Sequence, residues 1–193
     1  RSRSKSCVSP KSPMKSALLL IDLQQDFLAS ELQSSAPLLI ARAAELLRAC
    51  RERKLPIIHI WTTVDREKNS RLPHWRAQNR WLCVVGTPGH QTPEPLRPLD
   101  GESIVHKTGI NPFASGELDQ ILRAAGCDSV ILCGVHLHAC VRTAAVESLE
   151  RNLQVVIAED ATGSNDPIHA AATRRWLAAR CVDFCSVASL FND

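Results

Sequence analysis

The chain has 193 residues, of which 45% are hydrophobic and 22% charged, enough apolar matter for one well-cored domain and too much for wholesale disorder. Its formal charge of +3 does not describe a nucleic-acid binder: Arg1, Arg3, Lys5 and Lys11 lie in the first thirteen residues, which hold no acid, and without those four the remainder carries one net negative charge. A membrane partner is equally unexpected, because the apolar run at 17–21 reaches only strand length before Asp22 closes it.

Residues 1–13 are rich in Ser, Pro and basic side chains and read as a disordered tail, with the folded domain expected over 14–193. Met14, the only methionine, directly precedes the first apolar run and marks a candidate natural start; an organelle transit segment has the same Arg- and Ser-rich, acid-poor composition. From there, strand-like runs alternate with segments of helical period. Residues 17–23 predict a buried strand, 36–54 an amphipathic helix and 56–61 a second strand. Residues 62–101 are long, irregular and rich in Pro and Trp, the kind of connection that shapes a functional surface. A third strand is expected at 103–107, a helix at 116–125 closed by Gly126, a strand at 129–134, a helix at 139–151, a strand at 154–158, a helix at 167–180 and a short last strand near 182–185.

Strands that are continuous apolar runs, separated by helices, predict an α/β protein with a three-layer α-β-α arrangement around a mostly parallel, Rossmann-like sheet of six strands. In such sheets ligands bind beyond the carboxyl ends of the strands. That rule gathers Asp22, Trp61 and Thr62, Lys107, the loop from Gly134 to Cys140, and Asp160 at one rim. Eight cysteines, at 7, 50, 83, 127, 133, 140, 181 and 185, fall mostly in apolar segments without zinc-type spacing, and read as free thiols of a cytoplasmic protein. Cys140 stands out because it falls at the first turn of a helix, where the dipole and free N–H groups lower a thiol pKa and can hold an oxyanion. Asp22 could take the thiol proton and Lys107 steady whichever member of the pair is anionic. A packed small hydrophobe is the competing reading for the cysteine, and a loop or cap residue for the acid.

Three motifs carry a family resemblance. Residues 18–27, LLLIDLQQDF, residues 105–118, VHKTGINPFASGEL, and residues 134–141, GVHLHACV, are similar to the opening, lysine and nucleophile motifs of the isochorismatase-like cysteine hydrolases, a superfamily that includes nicotinamidases and the carbamoylsarcosine and ureidoacrylate amidohydrolases. Gly86-Thr-Pro-Gly89 resembles the loop before the lysine strand, and the match runs from Met14 to the C-terminus in the right order.

The resemblance implies the fold of that superfamily and a triad of Asp22, Lys107 and Cys140 that cleaves an amide, ureido or carbamoyl C–N bond of a small molecule through a thioester. It implies an oxyanion site made by the backbone N–H groups of His136 and Cys140, with a cis peptide at Val135–His136. It also implies a homo-oligomer, dimer or tetramer. Nicotinamidases bind a metal through an Asp-x-His pair and a further His; here Asp65 and His74 remain, but Glu67 stands where the first histidine belongs, so no metal and no cofactor is expected. Siderophore-pathway isochorismatases cleave a vinyl ether and lack the cysteine, so Cys140 favours amide chemistry.

Phe27, Trp61, Trp75 and Trp81, with His138, are candidates for the substrate pocket, with core packing or a subunit contact as the alternative for the aromatics. His136 and His138 are candidates for proton transfer or for a substrate or loop hydrogen bond. Arg142 is placed to meet a substrate carboxylate or an acid of another subunit, and His106 should point to the opposite face from Lys107. The competing functions are an isochorismatase-type hydrolase, a nicotinamidase, and a non-catalytic member serving as a binding or assembly module.

Overall fold

The structure, a computed structural model, describes residues 15–191. The tail expected over residues 1–13 lies outside them. In chain order the elements are β1 (Ser16–Ile21), a single turn α1 (Gln25–Leu28), α2 (Ala36–Glu52), β2 (Ile57–Thr62), a short α3 (Pro73–Ala77), β3 (Ser103–Lys107), α4 (Glu117–Ala124), β4 (Ser129–Val135), α5 (Arg142–Glu150), β5 (Gln154–Gly163), α6 (Pro167–Ala178) and β6 (Asp183–Cys185). All six strands are parallel, in the order β3-β2-β1-β4-β5-β6. The sequence therefore runs outward from β1 to one edge, returns to the other side of β1, and runs outward again, which makes the carboxyl ends of β1 and β4 the topological switch point.

Residues of β1, β2 and β4 are buried almost without exception, as strands covered on both faces must be. Alternate residues of β1 feed two separate cores. Leu18 and Leu20 pack with Leu39, Ala43, Leu46, Leu47 and Cys50 of α2, while Ala17, Leu19 and Ile21 pack with Leu118 and Leu122 of α4, Ala144 and Ala145 of α5 and Leu177 of α6. Each leucine buried in this way contributes about 1.5–3 kcal/mol. Helix α2 forms because its apolar residues recur at helical spacing and Pro37 occupies its first turn. In α6, Pro167 sits in the same place and the Asp166 side chain caps the helix by accepting from His169 N.

Three departures from the sequence reading have physical causes. Strand β5 continues to Gly163, past the end expected at 158, because the register against β4 shifts between Leu132 and Gly134 and pairing resumes at Gly134–Thr162. The segment 62–101 is not structureless: it holds α3, two 3-10 turns at Pro88–His90 and Glu94–Leu96, and a bridge between Val64 and Val84. Cys181 is disulfide-bonded, so the expectation of free thiols fails there; Cys50, Cys83, Cys127, Cys133, Cys140 and Cys185 are free. No described helix is long and apolar enough to cross a membrane.

Candidate active site

Each strand that ends at the switch point delivers one group. Asp22 follows β1, continues its ladder by donating N–H to the Ile60 carbonyl, and then turns out of the sheet with φ at +53°, a left-handed conformation that aspartate tolerates better than most residues. Thr62 ends β2 and Lys107 ends β3, paired in register. Gly134 lies opposite Ile21, where its φ is +125° and a Cβ would overlap the Ile21 carbonyl, so β1 and β4 can approach this closely only with glycine. Beyond it the Val135–His136 peptide is cis, as the resemblance implies.

These groups form one hydrogen-bonded cluster. Lys107 Nζ lies 2.8 Å from Asp22 Oδ2, 2.7 Å from Thr62 Oγ1, 3.1 Å from the Gly109 carbonyl and 3.4 Å from Cys140 Sγ, four acceptors that share its three N–H donors. The Thr62 hydroxyl in turn donates to Asp22 Oδ1 at 2.8 Å, and Thr62 N donates to the same oxygen at 3.0 Å. Asp22 is 1% exposed and Lys107 6%, so the pair persists because each charge neutralises the other and its remaining lone pairs or protons are used. Gln24, fully buried, accepts from Thr62 N and donates to the Thr62 and His90 carbonyls, tying the end of β2 to the irregular segment.

Thr62 was placed at the rim by the sequence, without a role; Gln24 falls inside the opening motif, but no role could be read for it there, since its partners are 38 and 66 residues away.

The electrostatics of Cys140 differ from the expectation. Leu137–Val141 is a π-helical turn that runs into α5, so the thiol does not open a regular α-helix. Burial, and then the charge of Asp22, push the thiol well above its ordinary pKa, with Lys107 opposing. The resting thiol is therefore protonated at neutral pH, not depressed into a thiolate by a helix dipole. Burial alone would lower Lys107, but the charge of Asp22, with the hydrogen bonds to Asp22 and Cys140, outweighs it and holds the ammonium above the usual lysine value.

A cavity of about 210 Å³ opens over this cluster. Thr62, Lys107 and Cys140 form its polar floor, and Phe27, Leu72, Trp75, Leu82 and Ile110 its apolar wall. Asp26, His74, Arg80, His136, His138 and Asn165 add polar groups. Of the four aromatics named from sequence, Phe27 and Trp75 are there. Trp61 and Trp81 are not: Trp61 is buried edge-on against His90 and His106, with its Nε1 unpartnered among the described residues, and Trp81 is stacked by the guanidinium groups of Arg66 and Arg71. Trp61 precedes Thr62, and alternation along a strand sends neighbouring side chains to opposite faces.

His138 makes a loop hydrogen bond, Nδ1 to Ser164 Oγ at 2.6 Å, and burial lowers its pKa. His136 is pushed down to about 4 by burial and by His138, and is neutral at pH 7. Arg142 stacks over Trp176, and His106 turns away to Thr63 Oγ1.

The metal-ligand geometry of nicotinamidases does not fit these residues. Asp65 Oδ1 accepts from Glu67 N and Lys68 N, and Oδ2 pairs with Lys68, so the carboxylate is spent on closing its own loop. Among the described residues no three His, Cys, Asp or Glu side chains come together as a metal site.

A six-stranded parallel sheet with an Asp–Lys–Cys cluster at its switch point defines an isochorismatase-like hydrolase fold. The Isochorismatase domain profile matches residues 16–189, and the chain belongs to that family. It is 29% identical over 163 residues to the secreted isochorismatase effector Isc1 of Verticillium dahliae, covering 82% of this chain and 77% of that protein. It is 27% identical to the maleamate amidohydrolase of Pseudomonas putida, covering 79% of this chain and 75% of that protein. The crystal structure of N-carbamoylsarcosine amidase from Thermoplasma acidophilum superposes with a TM-score of 0.78 at 25% identity, covering 93% of this chain and all of that one.

Proposed function

We propose that this protein is a cysteine hydrolase that cleaves the C–N bond of a small carboxamide, ureido or carbamoyl compound. The observation that carries the reading is Lys107 Nζ in simultaneous contact with Asp22 Oδ2 at 2.8 Å and Cys140 Sγ at 3.4 Å. This arrangement gives a neutral thiol both a base and a counter-charge for the anion it becomes. The likeness to an amidohydrolase and a carbamoyl amidase supports the same bond type.

In this mechanism Asp22 takes the Cys140 proton as sulfur adds to the carbonyl carbon, and the Lys107 ammonium holds the transient thiolate. Backbone N–H groups of His136 and Cys140 receive the oxyanion. The C–N bond breaks as Asp22 returns the proton to nitrogen, leaving a thioester on Cys140. Water, losing a proton to Asp22, adds to the thioester; the C–S bond breaks, the acid leaves and the sulfur regains its proton. Because the free thiol is held protonated, proton transfer to Asp22 accompanies attack instead of preceding it.

The test is ammonia release from a panel of primary amides and N-carbamoyl compounds by the unsubstituted protein and by Cys140→Ala. Turnover that Cys140→Ala abolishes is expected, with a thioester trapped in a quench and seen as a mass increase on the peptide holding Cys140. Equal turnover by both proteins would sink the cysteine mechanism.

A further inference from the structure

We propose that Thr62 is a positioning residue of the reaction: its hydroxyl stands between Asp22 and Lys107, holds one oxygen of the acid, and leaves the other oxygen and one lysine N–H free to serve Cys140. This rests on the cysteine-hydrolase reading above. A buried carboxylate and ammonium satisfy each other as fully as their surroundings allow, because water supplies neither with partners. Here they meet at a single oxygen. Lys107 Nζ bonds Asp22 Oδ2 at 2.8 Å, while Oδ1 is taken by Thr62, whose hydroxyl lies 2.8 Å from it and whose N–H 3.0 Å. Without that hydroxyl, the carboxylate is free to turn and close both oxygens on the ammonium.

The donors of Lys107 are fewer than its acceptors. Three N–H groups face Asp22 Oδ2, Thr62 Oγ1 at 2.7 Å, the Gly109 carbonyl at 3.1 Å and Cys140 Sγ at 3.4 Å. A neutral thiol is the weakest acceptor of the four, and its contact is the longest. Proton transfer reverses that order. The S–H bond breaks and an O–H bond forms on Asp22; Oδ1 already accepts two hydrogen bonds from Thr62, so the proton goes to Oδ2, the oxygen that shares Lys107 with the sulfur. The N–H that served Oδ2 passes to the sulfur anion. Throughout, Thr62 accepts from a second N–H of Lys107 and donates to Oδ1, so one proton and one hydrogen bond move and neither charged side chain leaves its place.

Thr62 is itself held firmly enough to do this. Its N–H is shared between Asp22 Oδ1 and Gln24 Oε1 at 2.9 Å, its carbonyl accepts from Gln24 Nε2 at 2.9 Å, and strand pairing sets it opposite Lys107. It is 2% exposed, and its branched Cβ restricts the side chain to few rotamers. Thr63, the next residue, spends its hydroxyl elsewhere, 3.0 Å from His90 Nε2 and 2.7 Å from His106 Nδ1.

The experiment reads the reactivity of Cys140 toward iodoacetamide at pH 7, followed by mass on the peptide that holds it, so that no substrate need be known. Thr62→Val, which keeps the shape and removes the hydroxyl, should slow alkylation by about tenfold or more. Thr62→Ser should stay within about threefold of the unsubstituted protein, since the hydroxyl returns. Thr63→Val removes a bonded hydroxyl from the same strand end and should leave the rate unchanged. If Thr62→Val does not fold, Thr62→Ala takes its place with the same expected loss. Against the best amide of the panel, the loss should fall on kcat, with KM changed by less than about twofold.

An alkylation rate that Thr62→Val leaves unchanged or raises overturns the proposal, as does an equal loss in Thr63→Val or a failure of Thr62→Ser to recover. Asp22→Asn separates this from the reading beneath it. A rate slowed by Asp22→Asn but not by Thr62→Val refutes the role of Thr62 alone, whereas a rate that Asp22→Asn leaves untouched refutes the acid–thiol pair and the proposal with it.

Discussion

Asp22, Thr62 and Lys107 are each no more than 6% exposed and are hydrogen-bonded to one another, whereas Arg76 and Arg80, in the segment that walls the same cavity, stand exposed without an acid of the described residues beside them. The buried cluster is held by parallel strand register: Thr62 and Lys107 are ladder partners, and Gly134 lets β4 close onto β1. The exposed segment is held at a few points, the Val64–Val84 bridge, the Gln24 side chain, and Glu102, which receives Arg51 at 2.7 Å and lies 2.9 Å from His59 Nε2. The groups proposed to react thus sit where strand pairing leaves little freedom, and the segment that walls the cavity sits where side chains can vary without disturbing the sheet. The two regions should respond differently to substitution.

The largest effect is expected from Cys140→Ala: loss of about 10⁴-fold or more in kcat against the best amide of the panel, with the thermal transition at pH 7 little changed. The alkaline limb adds a signed check. Because the folded thiol lies above its ordinary value of 9.0, the stability it contributes is full below pH 9 and is lost as pH rises further, so Cys140→Ala should flatten part of that decline in urea titrations.

Asp22→Asn should cost about 3–5 kcal/mol, since it leaves the Lys107 ammonium buried without its counter-charge. Adding Lys107→Met should restore most of that stability and none of the turnover. If the single substitution proved neutral in denaturant, the contrast between a tightly coupled rim and a tolerant segment would collapse.

Gly134→Ala tests the close approach of β4 to β1 directly. A Cβ against the Ile21 carbonyl, at φ +125°, should destabilise by about 2–4 kcal/mol and lower turnover, while Gly86→Ala in the irregular segment, with open space around the new Cβ, should show only the strain of its own positive φ.

Glu102→Gln addresses the anchor of the exposed segment. Burial would raise this carboxyl, but Arg51, the Leu99 N–H and His59 hold it down to about 2. Its stabilisation is therefore present above pH 4.5 and lost as pH falls toward 2. The substitution should remove about 2 kcal/mol near neutrality and flatten the acid limb of the stability profile, with a smaller effect on kcat than on KM.

The smallest effect is expected from Trp61→Phe, which removes an indole N–H that has no partner among the described residues and lies outside the cavity: within about 1 kcal/mol in stability, and no change in substrate preference.

The amino-acid order by itself was enough for the parallel α/β architecture and for the placement of Asp22, Lys107 and the Gly134–Cys140 loop at one rim, because continuous apolar runs and strand ends are local properties of the chain. Which aromatics face the cavity was not legible: 62–101 has no sustained period to follow, and of its two candidate tryptophans α3 sets Trp75 in the lining while Trp81 is stacked by two arginines outside it. The protonation of Cys140 also lay beyond the sequence, which put the thiol at a helix start and so on the acidic side of its usual range. Only the tertiary structure decided that it is held neutral, because a thiol's pKa follows its burial and its distance from charge, and here the nearest charges, Asp22 and Lys107, arrive from two other strands.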